Sequence, residues 1–269
     1  VFGAGAGGAA MLCALAVPAP RLEAVAAIVS AQPGVNHNYE REHDFNLWFV
    51  VTGADAAAVQ ATLARIEAAC GQRALRLRMQ RAYRIDLGFD LRQRVATWPR
   101  HGASPDPAGP ALADADWPLA ALVEGGLPLV ALPYDDWARR LDLSPGAVLA
   151  RLQRWLRQGA LRRFGTVVRH HELGFDANAM TVFDVPDALV DGCGQALARE
   201  SGVTLAYRRE RAPGWPYNLY CMVHGRDREA VLALLGQVIP AAGLAGRPRS
   251  VLFSRQRFKQ TGARRFRDM

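Results

Sequence analysis

Apolar residues along this chain follow two rhythms, one of strands and one of helices, and the order of the two occurs twice. An unbroken apolar run from Met11 to Val17 reads as a strand, and Arg21 to Ser30 as an amphipathic helix. Two alternating segments, Val35 to Glu42 and Phe45 to Thr52, flank a tight turn and predict a hairpin. A helix over about Ala54 to Cys70 and a strand over Leu75 to Ile85 complete a β-α-β-β-α-β order, the ferredoxin-like arrangement.

The same order is predicted from Ala179 to Lys259, because the sequence itself repeats. GVNHNYEREHDFNLWFVVTGADAAAV, from Gly34 to Val59, returns as GVTLAYRRERAPGWPYNLYCMVHGRDREAV, from Gly202 to Val231. Tyr39 falls on Tyr207, Arg41 on Arg209, Asn46 on Asn218 and Gly53 on Gly225, with extra residues around Pro213 and Gly214. Upstream, the run ending at Pro18 matches the one ending at Pro186.

Between the copies, residues 92–115 are rich in proline, glycine and alanine and read as a linker. Residues 116–165 then read as helices, with Ser144 as N-cap, Pro145 in the first turn and Gly159 as C-cap. A helix carrying Arg151, Arg154 and Arg157, followed by a β-wing, is a winged helix-turn-helix pattern. The fold expected is therefore α+β: ferredoxin-like domains at 1–91 and 166–269, with a linker and a winged helix-turn-helix between them. The chain starts at Val1 inside an apolar segment, so a longer natural chain is expected, and no equivalent helix-turn-helix precedes the first copy here.

Gly3, Gly5 and Gly8, with Glu23 further on, imitate a dinucleotide-binding turn, but such a turn needs a full strand before it and a helix after it. Only Val1 and Phe2 precede it, so a flexible loop is expected instead.

Composition narrows the function. The 269 residues are half hydrophobic, enough for two modest cores. Formal charge is +8 and Lys259 is the sole lysine, so almost every cation is a guanidinium, suited to bidentate binding of carboxylates or phosphates. Biased genome composition explains the same usage equally well. Cys13, Cys70, Cys193 and Cys221 show no zinc-type spacing and read as reduced thiols, favouring a cytoplasmic home. No apolar run is long enough to span a bilayer, and the N-terminus has no basic export region.

The first hairpin holds the chemistry. Strand alternation puts His37, Tyr39, Arg41 and His43 on one face, and a tight turn pairs Arg41 with Asn46, Tyr39 with Trp48 and His37 with Val50. Phe45, Leu47, Phe49 and Val51 form the row that covers the helices, which leaves the mixed polar and aromatic row on the helix-free face. Guanidinium holds carboxylate, imidazole moves protons near neutral pH, and aromatic rings flank a flat ligand. The second copy repeats the theme with Tyr207, Arg209, Arg211, Asn218, Tyr220 and His224, and with Trp215 in its longer turn. The competing reading is a solvated polar sheet face. His170 and His171 follow the wing, His101 sits in the linker, and the run from Arg255 onward is either a carboxylate-binding or a merely basic tail.

HNYEREHDFNLWFV in the first copy, with YRRER, GWPYNLYCMVHG and SRQRFKQTGA in the second, resembles the siroheme decarboxylases, in the fused NirDL-type arrangement related to AhbA and AhbB. The resemblance covers nearly the whole chain and implies two Lrp/AsnC-like units whose sheets pair within the chain. It implies removal of acetate carboxyl groups from siroheme to give 12,18-didecarboxysiroheme, in haem d1 biosynthesis. Siroheme, a flat macrocycle with eight carboxylates, suits an arginine-rich protein.

On that basis His37 and His43 are expected proton donors, Arg41 and Arg209 carboxylate clamps, and Tyr39 and Tyr207 orienting groups. Trp48 and Trp215 are expected as cleft walls, with Asn46, Arg211 and Asn218 also binding substrate. His224, or one of His170 and His171, is a candidate ligand to the substrate iron. No cofactor of the protein's own is expected, since the iron arrives with siroheme. Partners are siroheme and either NirG- and NirH-like subunits or a second copy; neither DNA nor membrane is expected. Leu205 stands at the place of His37 and Arg211 at that of His43, so the first copy is the stronger catalytic candidate. The alternatives are an Lrp/AsnC-type DNA-binding regulator and a tetrapyrrole-binding scaffold.

Overall fold

The computed structural model describes residues 2–3, 5–85, 109–162, 164–165, 174 and 176–266. In the first copy β1 (Ala9–Leu15), α1 (Leu22–Ala31), β2 (Val35–Arg41), β3 (Leu47–Gly53), α2 (Ala56–Cys70), β4 (Leu75–Leu77) and β5 (Met79–Ile85) follow the predicted order. Three helices come next, α3 (Trp117–Gly125), α4 (Pro133–Arg140) and α5 (Pro145–Gln158). The second copy is β6 (Ala177–Phe183), α6 (Val190–Arg199), β7 (Val203–Arg209), β8 (Leu219–Gly225), α7 (Arg228–Ala241) and β9 (Arg249–Gln260). The expected linker and wing fall largely on 92–108 and 166–173, outside the described residues.

The two copies start their second helices alike. Asp55 accepts from Ala58 N and Asp227 from Ala230 N, both at 2.7 Å, each supplying an acceptor for a helix N–H that has no partner within its helix. One face of each half-sheet then carries helices. Leu47, Phe49 and Val51 pack with Val25, Val29, Leu63 and Ile66, while Leu219, Cys221 and Val223 pack with Leu197, Val231, Leu235 and Val238. The opposite faces close on each other around Trp48, Leu77, Met180, Val182, Tyr220 and Leu252.

The last strands exchange between copies. Arg249–Phe253 of β9 pairs with β6 of its own copy, and from Ser254 onward the strand pairs with β2 of the other. β4 likewise pairs with β1, and β5 crosses to β7. The single strand expected over Leu75 to Ile85 is thus two, broken at Arg78 where the chain leaves its own sheet. Strand order runs β4-β1-β3-β2-β9-β6-β8-β7-β5, and its two ends are separated by one residue, so the sheet closes into a ring.

Gly194 seats the first exchange. A methyl group there would overlap the Tyr83 ring, which lies over α6 and donates its hydroxyl to Asp191. Gly194→Ala is expected to destabilise the chain by about 1–3 kcal/mol through overpacking, measured by denaturant unfolding; an unchanged midpoint would show that the Tyr83 seat is dispensable.

The three-helix module has the predicted caps: Ser144 Oγ accepts from Ala147 N (3.2 Å), and Gly159 takes φ 77°. Its core of Trp137, Val148, Leu152 and Trp155 also takes in Phe2, Ala6 and Phe266. The glycine-rich N-terminus is therefore neither a dinucleotide turn nor the flexible loop expected. Gly3 N donates to Ala160 O (2.8 Å), and at Gly8, with φ 73°, a Cβ would collide with Arg265 and the Gly53 carbonyl. The basic C-terminal run is structural too, since Arg265 and Phe266 donate their N–H groups to Glu124 Oε2 and the Lys259 ammonium donates to the carbonyls of Ser30 and Gln32.

Candidate active site

The first hairpin forms in the predicted register, Tyr39 opposite Trp48 and His37 opposite Val50, with Arg41 N donating to Asn46 O (2.7 Å). Asn38 turns to the helices and donates to Ala26 O and Ser30 Oγ, both at 3.0 Å. Alternation sends Tyr39 and Arg41 to the inner face, where the Arg41 side chain contacts groups of the facing copy.

Arg41 is 7% exposed, and its guanidinium donates to the Leu252 carbonyl (3.2 Å), Asn178 Oδ1 (3.5 Å) and Met222 Sδ (4.0 Å). Arg209 mirrors it, donating to the Leu77 carbonyl (2.9 Å), while its Nε is buried without an acceptor. Neither makes an ion pair among the described residues. Burial therefore depresses both guanidinium pKa values, that of Arg41 to about 10, which still leaves it charged at neutral pH. Removing a charge from water without a counter-charge is expensive. Two such groups at repeat-related places are poor scaffolding and good anion receptors.

Around Arg41 the ring of Tyr39 lies 5.7 Å from the guanidinium carbon, and around Arg209 those of Tyr207 and Tyr220 lie 5.3 and 5.8 Å away. Burial raises the Tyr39 pKa above its ordinary value, so the phenol keeps its proton and remains a donor. His37 stacks beside Tyr39 with ring centroids 6.2 Å apart, and burial, helped by Arg41, lowers its pKa to about 4. His43 is also lowered by burial, partly offset by Asp44, and its Nδ1 accepts from Phe45 N (3.0 Å). Both expected proton donors are thus neutral imidazoles in the unliganded protein. A polyanion bound beside them reverses that pressure and favours the imidazolium.

The longer turn of the second copy folds over this end. Trp215, 1% exposed, meets His43, Phe45 and Trp48 at 5.2, 5.8 and 5.1 Å between ring centroids, and donates Nε1 to Tyr220 Oη (2.7 Å). Trp48 and Trp215 are therefore interior packing rather than open cleft walls. Beside them residues 40–44 and 46 and Arg255 line a recess of about 380 Å³, enough for one edge of a macrocycle. Arg255 faces Glu40 and Glu42 there at 3.6 and 3.7 Å, so the acidic rim is partly neutralised.

Three expected substrate contacts are scaffolding instead. Asn46 accepts from Val17 N (2.9 Å) and donates to Val17 O (2.8 Å), and Asn218 does the same to Val185 at 3.0 and 2.9 Å. Each amide spends both ends on the segment between the first strand and the first helix of its copy. Arg211 is held by Asp184 and Asp187, both at 2.9 Å, which raises its pKa and leaves no free fork for substrate. His224 is 7% exposed with Nδ1 3.1 Å from Thr204 Oγ1. His101, His170 and His171 lie outside the described residues. What the motif reading missed are Asn178 and Ser254, brought to Arg41 from the other copy by strand exchange.

Comparison with known proteins matches this architecture. The model for the AsnC-like ligand binding domain covers residues 5–84 and 172–259, and that for the siroheme decarboxylase NirDL-like HTH domain covers 119–162. The siroheme decarboxylase NirDL subunit of Paracoccus denitrificans (strain Pd 1222) is 42% identical over 95% of this chain and 78% of that protein. The chain belongs to the siroheme decarboxylase family. The siroheme decarboxylase NirL subunit of Stutzerimonas stutzeri is 48% identical over 54% of this chain and 86% of its own length. A crystal structure of the siroheme decarboxylase NirDL in co-complex with an iron-uroporphyrin III analogue has TM-score 0.69 and 28% identity, covering 99% of this chain and 78% of that one.

Membership in the siroheme decarboxylases accounts for a helix-turn-helix beside a ligand-binding ring. In this member of the family Arg154 is tied to Asp116 (2.8 Å), which also accepts from Trp155 Nε1 (3.1 Å), so α5 offers phosphate one arginine fewer than its sequence suggests. Among the described residues no helix is long and apolar enough to cross a membrane.

Proposed function

We propose that this siroheme decarboxylase family member removes acetate carboxyl groups from siroheme, giving 12,18-didecarboxysiroheme, with the macrocycle edge entering between the two hairpin turns. The observation that carries this is the pair of buried guanidiniums, Arg41 and Arg209, without counter-charge on the inner faces. They hold carboxylates that do not react, which anchors and orients the ring. The reacting acetate then lies against the less polar surface of the Tyr39 ring, where loss of hydration favours carbon dioxide release.

The macrocycle takes a proton, the electron pair from the breaking C–C bond passes into it to leave an exocyclic methylene, and the methylene is then protonated to a methyl as the macrocycle gives its first proton back. Net, each carboxylate plus one proton gives carbon dioxide and a methyl group. His37, charged once the polyanion is bound, and His43 at the rim supply and return protons. The exchange involves no net oxidation, so no cofactor of the protein's own is proposed; iron enters as part of the substrate. His224, or one of His170 and His171, is the candidate ligand to that iron. Association with NirG- and NirH-like subunits and a cytoplasmic location complete the reading, the first supported by relatives that are themselves named as subunits.

Anaerobic incubation with siroheme followed by mass analysis of the pigment tests it. Loss of two carbon dioxide units is the expected result. Binding without mass change identifies a scaffold, and no change in the visible bands together with salt-sensitive duplex binding identifies a regulator; either outcome overturns the proposal.

A further inference from the structure

Asn178 is the second residue of β6 and is 3% exposed. Its Oδ1 accepts from Arg41 Nη1 (3.5 Å) and from Ser254 Oγ (2.9 Å). A guanidinium has no acceptor, so the atom turned toward Arg41 is the amide oxygen and the orientation of the amide is settled. Its nitrogen is left with two N–H donors that find no acceptor among the described residues. An amide with its oxygen fixed and its nitrogen without an acceptor, yet not shut off from solvent, is preorganised for a ligand acceptor.

The neighbours extend the same feature. Arg41 pairs with Ser254 across β2 and β9, and Asn178 pairs with His224 across β6 and β8, with Thr204 beside His224. A polar row thus crosses the inner face from one copy to the other. Its counterpart pairs Arg209 with Met79, and Ala10 with Thr52. Where the first row has serine and asparagine, the second has methionine and alanine.

We propose that Asn178 is a further substrate-contacting residue, its amide donating beside Arg41 to one substrate carboxylate, so that this subsite is built across both copies. The Arg209 end, with Ala10 in that place, holds a carboxylate less tightly. The inference rests on the siroheme reading above and adds to it a residue from outside the hairpin motifs.

Asn178→Ala and Asn178→Asp separate contact from scaffolding. Siroheme is titrated anaerobically into each variant while its visible bands are followed, and melting is recorded alongside. Alanine is expected to weaken binding about tenfold, the loss of one charge-assisted hydrogen bond. Aspartate puts a carboxylate against Arg41, so it should raise Tm while weakening binding by more than about a hundredfold, through occupation of the cation and repulsion of the polyanion. The aspartate variant reads the cation of Arg41, and the alanine variant, which leaves that cation in place, reads the amide contact itself through affinity lost at unchanged Tm. Binding within twofold of wild type in the aspartate variant, or affinity lost only together with Tm, overturns the inference. A wild-type chain that fails to bind siroheme overturns the reading of function as well.

Discussion

Replacing Arg41 by methionine is expected to lower kcat/KM for siroheme by about a hundredfold to a thousandfold while leaving Tm unchanged or higher. The loss follows from removing a cation that makes more than one charge-assisted hydrogen bond to a carboxylate. The stability follows from the other side of the same fact. In the unliganded protein Arg41 is buried against a carbonyl, an amide and a thioether with no carboxylate, so an apolar side chain of similar length relieves a desolvated charge. Steady-state decarboxylation with mass detection reads the first quantity and calorimetry the second. A variant within tenfold of wild-type activity would remove Arg41 from substrate binding, and a large fall in Tm would make it scaffolding.

His37→Leu is the second. Leucine already occupies the repeat-related position, Leu205, so the inner face has a precedent for this side chain. Decarboxylation is expected to fall by about a hundredfold to ten-thousandfold in kcat, the range of a positioned acid–base group. Stability should respond to pH in the opposite sense. The His37 pKa is near 4 in the folded chain against 6.5 for the free side chain, so the unfolded chain binds the extra proton between those values. Acidification therefore destabilises the wild type across that window, by on the order of 3 kcal/mol if the whole shift is realised. The leucine variant lacks this term and should lose less stability between pH 6.5 and 4. Urea midpoints at several pH values decide it, and parallel pH profiles for the two proteins would remove His37 as the source of the acid sensitivity.

Much of this is legible in the sequence alone. Alternation alone put His37, Tyr39 and Arg41 on the helix-free face, and the repeat alone paired Arg41 with Arg209. The caps at Ser144, Pro145 and Gly159 were equally plain, because capping depends on a few adjacent residues. Partner choice was not. Asn46, Asn218 and Arg211 have the chemistry of ligand contacts, and only the chain's path shows that Val17, Val185, Asp184 and Asp187 claim them first. Asn178 and Ser254 stayed hidden for the converse reason: they lie more than a hundred residues from Arg41 and reach it only because β9 changes partner midway. The glycine-rich start misled in the same way, since its packing partners, Ala160 and Arg265, lie far along the chain.

The exchanged strands bear on how such a protein exists as one gene product or two. Every ladder in the ring joins residues 9–85 to one another, residues 177–260 to one another, or one set to the other. None depends on the two sets sharing a peptide backbone. Two separate polypeptides would close the same ring, whereas either by itself would present half of its last strand as a bare, unpaired edge, a template for aggregation. Covalent fusion in this architecture changes the concentration at which the halves find each other, not the contacts they make. It also fixes their ratio at one to one, so that a site drawing Arg41 from one half and Asn178 from the other is always complete.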